Sequence, residues 1–203
     1  YGCEKEKKQW QIARLLQFYH GGGREGTRRE DPREADRIEK PGERTPEGEV
    51  RVYEEYDLIV TNPPVGELPL EDQDRYWIST RKAQLQYMQM LMNHVKKQGM
   101  VITVVNEGTL FMYDAEQKVR QYLLNDYQIQ GVISLPAGAF LPYTGSKASV
   151  LIFTRETEID KEQPVWFYEI QNLGYSLDRK QADIHQIPQL FHQTQRLFLL
   201  LCL

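Results

Sequence analysis

Asp57-Leu58-Ile59-Val60-Thr61 is a short apolar run that leads directly into Asn62-Pro63-Pro64. A run of this length and composition predicts a buried strand of the kind found in parallel sheets, covered by helices on both faces. The prolines end it. Each fixes its own φ, holds the preceding residue extended and carries no backbone N–H. The surrounding chain must therefore supply helices to cover a sheet.

The remaining sequence meets that demand. Helical spacing over residues 80–97 places Ala83, Tyr87, Met88, Leu91, Met92 and Val95 on one face, and Gln98-Gly99 stops the helix. Apolar runs at 100–105, 129–135, 149–154 and 165–170 predict further strands. A helix is predicted over 116–125 through Val119, Tyr122 and Leu123. Strands alternating with helices define an α/β fold with a mostly parallel sheet. The link 136–148, with Gly138, Pro142 and Gly145, is too short for a helical crossover, so the strands it joins are expected to pair antiparallel.

Nearer the start, residues 1–4 read as the end of a strand and 7–19 as a helix stopped by His20-Gly21-Gly22-Gly23. Residues 24–49 are rich in Arg, Glu, Gly and Pro, with Ile38 their only sizeable aliphatic side chain. Such a segment cannot offset its ordering entropy by burial and is expected to be a mobile charged insertion. The expected organisation is 1–23 as the opening of the domain, 24–49 as the insertion, 50–190 as its main body and 191–203 as a tail.

With 203 residues, 40% of them hydrophobic, the chain suits one domain with a substantial core. Its net charge of −4 advertises no nucleic-acid surface of its own, although partner subunits can supply a basic groove. Cys3 and Cys202 sit at opposite ends, outside any metal-ligand spacing or disulfide framework. A reducing cytoplasm is the expected compartment, and no metal is expected. The longest apolar run, 197–203, is too short to span a bilayer, so no membrane partner is expected. A start at Tyr1 and an end within an apolar run suggest a piece of a longer chain.

The chemistry legible in Asn62-Pro63-Pro64 is that of amino-group methylation. In open α/β sheets ligands bind beyond the carboxyl ends of strands, where this tripeptide falls. An exocyclic amine conjugated with an aromatic ring is a poor nucleophile. The Asn62 side-chain oxygen and the Pro63 carbonyl can each accept one of its hydrogens, turning the nitrogen lone pair toward an electrophilic methyl group. Taken alone, the same three residues also describe an ordinary proline-rich turn.

The stretch Tyr56 to Pro64 resembles motif IV of the modification (M) subunits of type I restriction–modification systems. Thr80-Arg81-Lys82-Ala83, Lys97-Gln98-Gly99-Met100 and Glu107-Gly108-Thr109-Leu110-Phe111 follow in the order of that family. The fullest match is Ile133-Ser134-Leu135-Pro136-Ala137-Gly138-Ala139-Phe140-Leu141-Pro142-Tyr143-Thr144-Gly145, and Gly174-Tyr175-Ser176-Leu177-Asp178 is also similar. The resemblance implies a Rossmann-like fold dependent on S-adenosylmethionine, mostly parallel with an antiparallel C-terminal strand, whose catalytic domain occupies 50–190. It implies adenine-specific methylation of double-stranded DNA with the target base flipped out, a separate specificity subunit and a possible restriction subunit.

Residue by residue, the resemblance makes Asn62, Pro63 and Pro64 catalytic and Val65, Phe140 and Tyr143 substrate-binding. Glu4, with Asn62, would bind the cofactor. Phe140 has a second reading, as a loop aromatic plugging the domain edge, and Glu4 a second one, as solvated surface. Three departures stand out. The family's first strand and its glycine-rich cofactor loop are missing; Val65 occupies a position usually aromatic; and 24–49 stands where a third strand and an acidic residue are usual. Asn106-Glu107 also replaces a customary proline. These departures leave a truncated, non-catalytic remnant serving in assembly or DNA contact as the alternative. A third reading, methylation of an amide or of a ribosomal-RNA guanine, is opposed by the segment from Leu135 to Gly145.

Overall fold

A computed structural model describes residues 55–142, 144–171 and 173, together with the backbone of 2–3 and 27–28. In chain order the strands are β1 (Gly2–Cys3), β2 (Thr27–Arg28), β3 (Tyr56–Thr61), β4 (Val95–Asn106), β5 (Gln128–Ser134), β6 (Ala148–Thr154) and β7 (Trp166–Glu169). The helices are α1 (Ala83–His94), α2 (Glu107–Phe111) and α3 (Ala115–Asp126). β1 and β2 form a parallel pair, and the other strands make one sheet in the order β3-β4-β6-β5-β7.

Four strands of the larger sheet point the same way, and β6 runs against them between β4 and β5. The antiparallel pairing expected of the strands joined by 136–148 is thus present. β7 then adds beyond β5 in parallel, so the reversed strand lies inside the sheet and not at its rim.

β4 begins at Val95, directly after α1, where sequence periodicity carried the helix on to residue 97. Gln98-Gly99 does not cap a helix. It is an irregularity within β4, with Gln98 at a φ of 63° and a register shift against β3 between Tyr56 and Leu58. Glycine is required there: a Cβ at Gly99 would meet the Lys96 carbonyl oxygen at 2.9 Å and that of Tyr56 at 3.0 Å. The mispredicted boundary follows from Val95, whose side chain is buried equally well by a helix end or a strand start.

One face of the sheet carries the core. Val101, Val105 and Phe153 are fully buried beneath Leu85, Met88 and Leu91 of α1, with Val119 and Leu123 of α3 alongside. Each such aliphatic side chain contributes about 1.5–3 kcal/mol on burial. α1 is buried almost all round, because Gln86 and Gln89 turn their amides to the loop backbone at Asp72, Ile78 and Thr80. The opposite face corrects the expectation of a strand covered on both sides. Leu58 and Val60 are 56% and 68% exposed, in line with Met100 and Ile102 of β4. All the helices of the described core lie across the sheet from them.

Among the described residues no helix is long and apolar enough to cross a membrane. The predicted helix 7–19, residues 24–49 apart from Thr27–Arg28, the segment Gly174 to Asp178 and the tail lie outside the described residues.

At the end of α3 the Tyr127 hydroxyl donates to the Met92 carbonyl at 2.6 Å, and its ring packs edge-on against Phe153. Burial pushes the phenol well above its unfolded value of 10.0. The folded state therefore holds this proton more tightly. Its contribution is intact below pH 10.0 and declines as the pH rises beyond it. Tyr127→Phe is expected to cost about 1–2 kcal/mol in urea unfolding at neutral pH. Its stability should also fall less steeply than the parent's above the phenol's unfolded pKa.

Candidate active site

β3 ends opposite Thr103, whereas β4 runs on through Val104 and Val105 to Asn106, roughly 10 Å further along the strand direction. Asn62-Pro63-Pro64 therefore leaves the sheet on a step beside a taller strand. Pro63 is buried, while Asn62, Pro64 and Val65 are exposed. Among the described residues the Asn62 side chain has no hydrogen-bond partner, so its amide is available to a ligand. Pro63 and Pro64 bring carbonyl acceptors and no competing donors.

The turn is held from behind. Gly66 adopts a φ of +117° in open space, a conformation that reverses the chain and disfavours a side chain. The returning strand segment then ties down: Ala83 N–H donates to the Gly66 carbonyl at 2.9 Å and Leu68 N–H to that of Arg81 at 2.7 Å. Glu67 and Lys82 form an antiparallel bridge between these bonds, and Arg81 pairs with Glu67 at 3.2 Å. The base of this strap is fixed by Gln84. Its Oε1 accepts from Asn106 N–H at 2.8 Å and from the Thr109 hydroxyl at 3.0 Å. A second anchor is the Lys82 ammonium, which donates to the buried Glu116 carboxylate of α3.

Phe140 lies in the succession of turns after β5, half-buried, on the same carboxyl edge as Asn62. β4 and β6 stand between their strands, a separation of roughly 14 Å at the sheet. The structure thus puts Asn62, Pro63, Pro64 and Val65 together and Phe140 across the edge from them. Tyr143 and Glu4 lie outside the described residues. Between the two flanks Glu107 opens α2 and pairs with Lys147 at 3.1 Å, bridging the end of β4 to the start of β6. An apolar pocket under α3, lined by Met88, Val119, Leu123 and Phe167 among others, includes none of the predicted site residues. Arg120 borders it and donates to the Thr109 carbonyl. Burial lowers the Arg120 guanidinium below its ordinary value, opposed by the charges of Glu116 and Tyr113.

Sequence reasoning missed the roles of Gln84 and Glu116, and it named the segment of Glu107 without its pairing to Lys147. Lys82 lies within a motif that was legible, but its partner Glu116 is on another helix, and no spacing signals such a pair. S-adenosylmethionine would need polar groups at this carboxyl edge. Asn62, exposed and without a described partner, fits the methyl-receiving side of such a site, and no described residue yet supplies a ribose-binding carboxylate there.

One reversed strand in an otherwise co-directional sheet, with an Asn-Pro-Pro turn on its carboxyl edge, fits a Rossmann-like methyltransferase fold. The chain belongs to the N-6 DNA methylase family, whose sequence pattern matches residues 1–197. It is 34% identical over 122 residues to the methylase subunit of the type I restriction enzyme EcoEI from Escherichia coli, covering 57% of this chain and 24% of that subunit. Among solved structures, a chain of a type I restriction–modification complex superposes with a TM-score of 0.69 at 27% identity, over 84% of this chain and 33% of that one. The M protein of the type I restriction enzyme EcoKI shares the fold with a TM-score of 0.66 at 21% identity, over 89% of this chain and 37% of that protein. The present chain therefore spans between 24% and 37% of these relatives.

Gly66→Ala should strain the turn that follows Val65 and cost about 1–3 kcal/mol. A lowered urea midpoint with an unchanged m-value is the expected result.

Proposed function

We propose that this chain is the acceptor-binding part of an adenine-specific DNA methyltransferase belonging to a type I restriction–modification system. The observation that carries the reading is the exposed, unpartnered Asn62 amide beside the Pro63 carbonyl at the end of β3. The target adenine is flipped from double-stranded DNA, and its amine donates one hydrogen to Asn62 Oδ1 and the other to the Pro63 carbonyl. The nitrogen lone pair then leaves the plane of the ring. S-adenosylmethionine supplies the electrophilic methyl on its sulfonium: the N–C bond forms as the C–S bond breaks, and S-adenosylhomocysteine departs. The amine proton passes to solvent, so no ionised base is required.

Pro64 keeps the turn rigid, and Val65 and Phe140 border the base from opposite flanks, with Tyr143 beside Phe140. Asn62 would contact the cofactor, and Glu4 carries the ribose-binding role that the family resemblance gives it. A specificity subunit reads the DNA sequence, a restriction subunit completes the system, and the assembly works in the cytoplasm. Membership of the N-6 DNA methylase family and likeness to the EcoEI methylase subunit support the DNA methyltransferase and type I system parts of this reading. A second reading, an assembly element without catalysis, is favoured by the exposed Leu58 and Val60 on β3.

Calorimetric titration of the full chain with S-adenosylmethionine separates the two, and absence of binding would sink autonomous catalysis. In the active form Asn62→Ala should lower kcat by about 10²–10³-fold while leaving cofactor affinity unchanged. Val65→Phe, by restoring a stacking face, should tighten binding of duplexes carrying an unpaired adenine by about 1–3 kcal/mol. Equal activity of Asn62→Ala and parent would remove the assignment.

A further inference from the structure

We propose that Glu116 is a positioning residue for the amine-accepting turn, acting through Lys82 and the strap from Gly66 to Ala83. The inference rests on the methyltransferase reading for its consequence, and on the geometry for its mechanism. Glu116 is only 4% exposed, in the first turn of α3, yet its one described side-chain partner is the Lys82 ammonium. Its second oxygen, Oε2, is buried without any hydrogen bond. Arg120 adds the attraction of its charge but no hydrogen bond, so this buried carboxylate depends on Lys82 for its one described hydrogen bond.

Lys82 is half-exposed, with its backbone at the centre of the strap: it bridges to Glu67, between the Gly66–Ala83 and Leu68–Arg81 bonds. Fixing the Lys82 side chain in α3 thus fixes the backbone that receives the chain from Val65. Gln84 fixes the base of the strap to β4 and α2, not to α3. Beside the ring contact of Trp77 with Tyr122, at 5.1 Å, the Lys82–Glu116 pair is the described polar tie between the strap and α3. The prolines stiffen Asn62-Pro63-Pro64 but leave it without two backbone donors to anchor it to its surroundings, so support comes from outside the turn.

Hydrogen–deuterium exchange on the full chain tests the tie without reference to activity. In Glu116→Leu and in Lys82→Met, peptides spanning residues 66–83 are expected to exchange about tenfold faster, with β4 and β6 unchanged. Lys82→Arg should retain the parent's protection. Unchanged exchange of the strap, or equal acceleration throughout the sheet, overturns the proposal. If either single variant unfolds, the double variant Lys82→Met/Glu116→Leu, which removes both members of the pair, decides by the same criterion.

In the active form, Glu116→Leu should lower kcat about tenfold at unchanged affinity for S-adenosylmethionine, because a displaced turn presents the amine out of line. An accelerated strap with kcat within about twofold of the parent would overturn the catalytic consequence. A parent chain whose methyl transfer is absent, or indifferent to Asn62→Ala, would instead refute the methyltransferase reading, and the exchange result would still decide the tie.

Discussion

Pairing of β4 on both its edges is the interaction on which everything else here depends. It joins β3, which delivers Asn62, to β6, whose start faces the end of β4 through Asn106 and Ala148. Its inward side chains, Val101, Thr103 and Val105, are fully buried and form the floor under α1. β4 also exceeds β3 in length at the carboxyl edge, so the same strand that builds the core creates the step on which the turn lies. The pleat explains both roles. Alternate residues of one strand serve the core, and its length sets the profile of the sheet edge.

The turn itself is nearly passive. Prolines remove donors, Gly66 removes a side chain, and what remains is a ribbon of acceptors with one amide. Such a ribbon suits an amine that has two hydrogens to give. The same poverty of internal bonds shifts the work of holding it to Arg81, Lys82 and Ala83, which come one loop later in the chain. Recognition and support are therefore divided between two sequence segments that meet only in the folded state.

Much of this was legible in the sequence. Short apolar runs revealed β5 and β6 because a buried strand must be apolar, and β3 and β7 because their runs are apolar although one face of β3 is exposed. The connection with Gly138 and Pro142 revealed the reversal of β6, because no helix fits there. The start of β4 was hidden because Val95 satisfies helix and strand alike, and α2 because a five-residue helix leaves no periodic trace. β2 was hidden for another reason. Thr27–Arg28 pairs with Gly2–Cys3 inside a segment whose composition suggested only a charged insertion, and two residues of pairing need no hydrophobic run. The site divided in the same way. Asn62-Pro63-Pro64 is contiguous and so could be read, whereas Gln84, Glu107 and Glu116 act through partners that only the fold supplies.

The reversed strand also bears on the order in which the molecule assembles. β5 and β6 are joined by a short connection, so their pairing closes a small loop at little entropic cost. β3 and β4 pair in parallel, and α1 must first be threaded between them, a longer closure with more chain to restrain. Loop-closure entropy therefore favours a nucleus made of the β5–β6 ribbon, with Phe140 at its tip, and a late arrival for the strand that carries Asn62. A refolding chain would acquire one flank of its carboxyl edge before the other.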